Sequence, residues 1–312
     1  PVGTANSGIG LQRGQMLFGG SLVNQFINWE HDEISPGSGD HEGIMNSTLG
    51  NFNLNIGLND KWNLAVDAMA GVRQMDFKGI ENIHHRDESK TGLGDVRIIL
   101  RHLVSNETFG PGKRMFLGYG VVIPSGNSLP ENPFALGSLG KEHTHFDMSE
   151  GVYKILGEVQ YFKRGESPLV FGGVGKLEVP LFPNKYGYLT GSQLNTTIMG
   201  YLQSRRILKG MPLFTISGQY RTSDYWNGEK APNSGGAVVQ LGGGLVWNMN
   251  GSMVTMSFRV PVLFTTNMVG EGASNIDSKT SVWGVSLSFR KVFDFHKFWP
   301  ETKEEDSHDH AH

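Results

Sequence analysis

TGLGDVRIILRHL (Thr91–Leu103), SNETFGPGKR (Ser105–Arg114) and MFLGYGVVIPSG (Met115–Gly126) are the stretches whose reading decides the fold. In the first, Val96, Ile98 and Leu100 alternate with Asp95, Arg97 and Arg101, so an extended strand carries apolar residues on one face and charges on the other. In the third, Met115, Leu117, Tyr119, Val121 and Ile123 share one face, with Gly118 and Gly120 opposite. The pattern returns after a polar loop in GVYKILGEVQYF (Gly151–Phe162), where Tyr153, Ile155, Gly157, Val159 and Tyr161 oppose Lys154, Glu158 and Gln160. A soluble sandwich could show such alternation too. What separates the two readings is how much of the chain follows the pattern.

Working outward, Ile44, Phe52, Leu54, Ile56 and Leu58 oppose Ser47, Asn51, Asn53 and Asn55, and Asn59, Asp60 and Lys61 then supply a hairpin turn. The return strand sets Trp62, Leu64, Val66, Ala68, Ala70 and Val72 against Asn63, Asp67 and Arg73. Further on, Leu169, Phe171, Leu177 and Val179 oppose Lys176 and Glu178. Phe214, Ile216 and Tyr220 oppose Thr215, Ser217, Gln219 and Arg221, and Val254, Met256, Phe258, Val260 and Val262 oppose Thr255, Ser257 and Arg259. The series amounts to about twelve strands of roughly ten residues, in the range of outer-membrane barrels. Long polar loops alternate with short connections, and aromatics gather near segment ends (Trp29, Trp62, Tyr161, Trp247, Trp283). The sequence therefore predicts an all-β, transmembrane antiparallel up-and-down β-barrel in a bacterial outer membrane, with both termini in the periplasm. A soluble β-sandwich or lipocalin-like barrel is the competing fold.

Composition agrees with this. The 312 residues suit one barrel domain, with 43 glycines and a mean hydropathy of −0.28. Nothing approaches the apolar run that a spanning helix needs. Cysteine is absent, which excludes disulfides and thiolate metal sites. A net charge of −3 without a basic patch argues against nucleic acid as a partner. The start at Pro1, without an initiator Met or apolar leader, is expected of a processed export product and equally of a trimmed chain. The expected organisation is a flexible N-terminal segment over 1–12, the barrel over 13–295, and an acidic, His-rich tail over 296–312 able to meet a periplasmic partner.

Gly94 and Asp95 open one strand, Pro124 and Gly126 follow the next, and Gly151 and Gly157 punctuate a third. On these residues, about a quarter of the chain resembles the MetA-pathway phenol-degradation transporter family of bacterial outer-membrane barrels. The resemblance implies a barrel and a transport role for small, often hydrophobic molecules, without naming a substrate. SVWGVSLSF (Ser281–Phe289) is similar to the terminal signal read by the outer-membrane assembly machinery, with Gly284, Leu287 and Phe289 in place. It departs from that signal at Val282, where a polar residue is usual, and in the continuation beyond Phe289. Outer-membrane lipid and the assembly machinery are therefore the expected partners.

With the polar face of each strand turned inward, the luminal ionisable residues are Asp67, Arg73, Asp95, Arg97, Arg101, Lys154, Glu158, Lys176, Glu178, Arg221 and Arg259. Cations exceed carboxylates in this set, which predicts a passive channel biased towards anions. Equally, paired ladders of these charges would fill a narrow, poorly conducting barrel. A second reading comes from the loops, where His31, His41, His84, His85, His143 and His145 are interspersed with Asp and Glu. Imidazole and carboxylate suit Zn or Cu, so the loops could capture a divalent transition metal, although solvated polar loops explain the same composition. A scaffold barrel in an outer-membrane complex is a third reading. Catalysis is not expected, because no G-x-S-x-G, H-E-x-x-H or phosphate-binding loop is present and His102 lacks a phospholipase context.

Overall fold

A computed structural model describes residues 8–31, 41–78, 87–107, 112–139, 141–166, 168–231, 234–266 and 278–295. Its elements are β1 (Gln15–His31), β2 (His41–Gly57), β3 (Trp62–Lys78), β4 (Glu88–Leu93), β5 (Val96–Asn106), β6 (Gly112–Ile123), the short helix α1 (Pro133–Ser138), β7 (Lys154–Arg164) and β8 (Leu169–Pro180). There follow β9 (Tyr188–Leu189), β10 (Gln193–Leu202), β11 (Met211–Arg221), β12 (Tyr225–Trp226), β13 (Glu229–Lys230), β14 (Gly236–Met249), β15 (Ser252–Thr266) and β16 (Ser278–Asp294).

Each barrel strand pairs antiparallel with its neighbours, β16 returns to β1, and β2 pairs with β3, so the sheet closes on itself. With β4 and β5 taken as two halves of one strand, the barrel has twelve strands. Closure pairs the barrel strands on both sides, leaving only the short β4 with a single partner, β3, among the described residues, and such pairing is the condition for strands to cross a bilayer. The break between β4 and β5 falls at Gly94 and Asp95, where the Gly94 amide donates to Met69 O at 2.8 Å. β9, β12 and β13 form a separate three-stranded patch in the connections that follow β8 and β11.

The outer wall is apolar. Phe52, Tyr119, Ile155, Phe171, Leu177, Ile198, Phe214, Met256 and Leu287 all lie exposed on it. In water such a surface would drive aggregation, whereas against lipid it is the matched solvent. Ring pairs occur near the rims: Phe18 with Phe293 at 5.5 Å and Trp62 stacked on His102 at 4.5 Å on neighbouring strands, and Tyr153 with Phe182 at 5.9 Å just beyond the ends of β7 and β8.

The two rims differ as the loop lengths predict. One rim, the turn end, carries short connections and both ends of the barrel. There Asn59 Oδ1 accepts from the amides of Lys61 and Trp62, each at 2.9 Å. Asn250 and Gly251 (φ 49° and 78°) turn β14 into β15, the left-handed pair that a two-residue hairpin requires. The opposite rim, the loop end, carries the long connections.

Three differences from the sequence reading stand out. β1 and β2 run as far as a His31–His41 cross-strand pair, so these histidines end strands rather than sit in a loop. β16 continues past Phe289 to Asp294, which pairs with Gln15, so Arg290–Asp294 is needed to close the barrel. The inner face is also less uniformly polar than alternation implied. Ala65, Ile99, Val122 and Leu156 form a fully buried cluster inside the barrel, next to Gly118 and Gly120. The glycines remove side chains from the inner wall, and neighbouring apolar residues fill the space.

Residues 1–7 and 296–312 lie outside the described residues. Of the segment expected to be flexible, Gly8–Gln12 lies inside the turn end. The Gly8 amide donates to Gln160 Oε1 at 2.9 Å, Arg114 Nη1 donates to Gly8 O at 3.0 Å, and Leu11 is buried.

Candidate functional site

The luminal charges converge at the centre and loop end of the barrel, and two clusters organise them. In the central cluster Arg101 donates from Nε to Glu158 Oε1 at 2.6 Å and from Nη1 to Asn55 Oδ1 at 2.6 Å. Gln160 Nε2 donates to the same Glu158 oxygen at 2.8 Å. Lys176 bridges Glu158 at 3.3 Å and Asp67 at 3.5 Å, and Asn53 donates to Asp67 at 3.0 Å. These partners come from β2, β3, β5, β7 and β8, so one cluster ties five strands together.

The second cluster lies nearer the loop end. Arg97 Nε donates to Glu178 Oε1 at 2.6 Å, Lys154 reaches Glu178 at 3.3 Å, and Lys154 also pairs with Glu150. Arg221 Nη1 sits 2.8 Å from Glu150 Oε1, while its Nε and Nη2 donate to the two oxygens of Asp224 at 3.0 Å each. This fork geometry is what guanidinium offers a carboxylate. Arg221 further donates to Thr190 Oγ1 at 2.5 Å and to Tyr188 Oη at 3.0 Å, and Tyr188 donates to Asp224 Oδ2 at 2.8 Å.

Burial by itself would raise the Glu150 carboxyl, but the Arg221 and Lys154 cations outweigh it and hold it at about 2. Burial pushes the Tyr188 phenol upward, and its acceptor Asp224 adds to the effect, so the phenol remains a donor.

Of the residues that alternation turned inward, Asp67, Arg97, Arg101, Lys154, Glu158, Lys176, Glu178 and Arg221 meet in these two clusters. Arg73 donates to Asp147 O at 2.6 Å, and Asp95 accepts from Ser149 Oγ. What alternation missed are Glu150, Asp224, Tyr188 and Thr190, all in connections that fold into the mouth, whereas Asn53, Asn55 and Gln160, which it placed on the polar face, join the central cluster. The only sequence signal for Glu150 was its place beside Gly151. The added carboxylates matter, because they neutralise much of the cation excess counted on the strands.

The glycine and proline motifs that carried the family resemblance meet at one place. Asp95 anchors Ser149, Ser125 Oγ and Asn127 Nδ2 both donate to Leu93 O (2.6 and 3.0 Å), and Gly126 and Gly151 adopt φ of 89° and 70°. Together they fold the long connection between β6 and β7 into the mouth, where Met148 and Val152 are buried. A cavity of about 380 Å³ lies there, lined by Arg73, Arg97, Lys154, Tyr188, Arg221 and Trp226 among others. A second, of about 270 Å³, lies at the turn end against Gly8, Phe162, Met199, Tyr201, Leu213 and Met253, with Arg114, Arg164 and Arg290 on its walls. Along β7 the Glu158–Gln160 level falls between them, because Lys154 lines the first cavity and Phe162 the second.

Of the loop histidines, His84 and His85 lie outside the described residues. The rings of His143 and His145 are 4.8 Å apart, and His145 Nδ1 lies 3.0 Å from Glu88 Oε1. Among the described residues no group of three His, Asp or Glu is arranged to hold a metal ion.

The geometry defines a class, the membrane-spanning β-barrel of outer-membrane type. The chain is similar in structure to the COG4313 outer membrane channel from Pseudomonas putida F1, with a TM-score of 0.63 at 12% identity over 94% of this chain and 99% of that one. Weaker likenesses include a mutant of the TodX monoaromatic hydrocarbon channel (TM-score 0.44, 11% identity, 91% of each chain) and the translocator domain of the autotransporter NalP from Neisseria meningitidis (0.42, 10% identity, 92% and 90%). No family model and no curated protein matches the sequence.

Proposed function

We propose that the protein is a passive outer-membrane channel for small solutes, with its turn end and both termini in the periplasm. The observation that carries this reading is the division of the inner wall. Charges are locked in pairs on β3, β5, β7 and β8, while the far wall on β10, β11, β15 and β16 presents, between Arg221, Arg259 and Arg290, small hydroxyls and amides such as Asn195, Thr197, Ser217, Ser257, Ser286 and Ser288. Neutral hydrogen-bonding groups on this wall let a hydrated solute pass without a deep electrostatic trap. That the Pseudomonas putida barrel is an outer membrane channel supports the same reading.

The anion preference expected from the strand charges rests here on fewer residues. Arg97, Arg101, Lys154, Lys176 and Arg221 are neutralised in the network. The positive potential instead comes from Arg259 on the far wall and from Arg114 and Arg164 around the turn-end cavity. The test is single-channel recording in planar bilayers under a salt gradient. A conducting barrel with a modest anion-selective reversal potential is expected; no conductance, or cation selectivity, rejects the reading.

A further inference from the structure

Arg259 differs from the other luminal cations that alternation picked out. It is buried to 8% exposure on the inner face of β15, yet no hydrogen-bond acceptor or carboxylate among the described residues partners its guanidinium. The carboxylates of the barrel interior are engaged elsewhere, Glu158 with Arg101 and Lys176, Glu178 with Arg97 and Lys154, and Glu150 and Asp224 with Arg221. A buried guanidinium without a partner is costly, and no described residue offers it one.

The wall around Arg259 is shaped for its side chain. Its cross-strand partners are Gly242 on β14 and Gly284 on β16. A Cβ on Gly242 would lie 2.8 Å from Arg259 Cγ and would also strike Thr215 Oγ1. The arginine stem and the Thr215 hydroxyl thus share the space over one glycine. That hydroxyl is buried and has no hydrogen-bond partner either. Beside them is a recess of about 50 Å³, bordered by Arg259, Gln25, Asn195, Thr197, Ser217 and Gln219, all neutral except the arginine.

From this geometry we propose that Arg259, with the amides and hydroxyls that border the recess, forms a binding site for the carboxylate of a small amphipathic organic acid. A guanidinium fork matches a carboxylate through two parallel N–H···O bonds, and the Ser217 hydroxyl on the border of the recess supplies a further donor. No acidic side chain borders the recess to compete for the fork. The recess has room for the carboxylate but not for the remainder of an acid, so the apolar part extends towards the turn end. Met199 points it there, being both the cross-strand partner of Thr215 and part of the apolar wall of the turn-end cavity with Leu213, Val246 and Met253. In biological terms the site deepens the channel reading, on which it rests, by naming the class of solute.

The test uses the full-length barrel in detergent and equilibrium binding of benzoate, with benzamide as the neutral isostere, followed by calorimetry. Wild type binds benzoate saturably and at least tenfold more tightly than benzamide. Arg259→Gln abolishes that difference, Arg259→Lys retains part of it, and Ser217→Ala, which removes only a hydroxyl of the recess, weakens benzoate about threefold. Heat-modifiable migration on gels verifies that each variant is a folded barrel, and the benzoate–benzamide contrast in wild type stands without any variant. Absence of saturable benzoate binding, equal affinity for the two probes, or unchanged benzoate affinity in Arg259→Gln overturns the proposal. A barrel that binds benzoate selectively but passes no current overturns the channel reading alone. One that conducts without distinguishing the probes overturns this site alone.

Discussion

Arg101 and Glu158 meet at 2.6 Å inside the barrel with side-chain exposures of 6% and 0%, so the pair is held almost wholly out of water. Removing one partner of a buried pair leaves the other uncompensated, at a cost of about 3 to 5 kcal/mol. Glu158→Gln should therefore lower the urea midpoint of unfolding from detergent markedly. The double variant Arg101→Met with Glu158→Gln should be less destabilised than the sum of the singles, since the stranded guanidinium is gone. Additive losses would show that the two residues do not act as a pair.

A second prediction concerns pH. The Glu150 carboxyl is held at about 2, below its ordinary 4.5, so its contribution to docking the mouth is fully present above pH 4.5 and is lost as pH falls towards 2. Trp226, buried and 4.9 Å from Tyr188, is a local reporter. Its fluorescence should stay constant from pH 7 to about 4.5 and change below that, with the protonation of Glu150. In Glu150→Gln the step assigned to this carboxyl should disappear.

Deletion of residues 1–12 should raise single-channel conductance several-fold. Gly8–Gln12 lies within the turn end, bonded to Gln160 and Arg114 and packed where a solute leaving the central level would pass. Leu11 is buried there, so the segment obstructs the turn end as well as lining it. Unchanged conductance in a folded deletion variant would place the limiting constriction elsewhere, the Glu158–Gln160 level being the next candidate.

Gly120→Ala should impair barrel assembly more than Gly157→Ala on the neighbouring strand. A Cβ at Gly120 would strike the Ile98 carbonyl and come within 3.1 Å of Ile99 Cα, both backbone atoms that cannot move aside without parting the wall. At Gly157 a Cβ meets nothing within 4 Å. The yield of heat-modifiable, folded barrel after refolding measures the difference, and equal yields would contradict it.

The sequence by itself determined the barrel. Val96, Ile98 and Leu100 face outward and Arg97 and Arg101 inward because an extended chain turns successive side chains to opposite sides, a rule that needs no knowledge of neighbours. Loop lengths set the two rims in the same local way, and the Asn59 and Asn250 turns follow from residue types suited to tight hairpins. The partners of the inward charges were decided only by the tertiary structure. Glu150 and Asp224 stand in connections without periodicity, and they reach Arg221 because Gly126, Gly151 and the Asp95–Ser149 contact fold one loop inward while the β9–β12–β13 patch positions the other. Cations that alternation counted as an excess are thereby neutralised, whereas Arg259, alike in sequence, stands among glycines and hydroxyls with no partner among the described residues. Alternation assigns a side chain to a face of the wall, but its partner depends on distances across the lumen, which exist only once the sheet has closed.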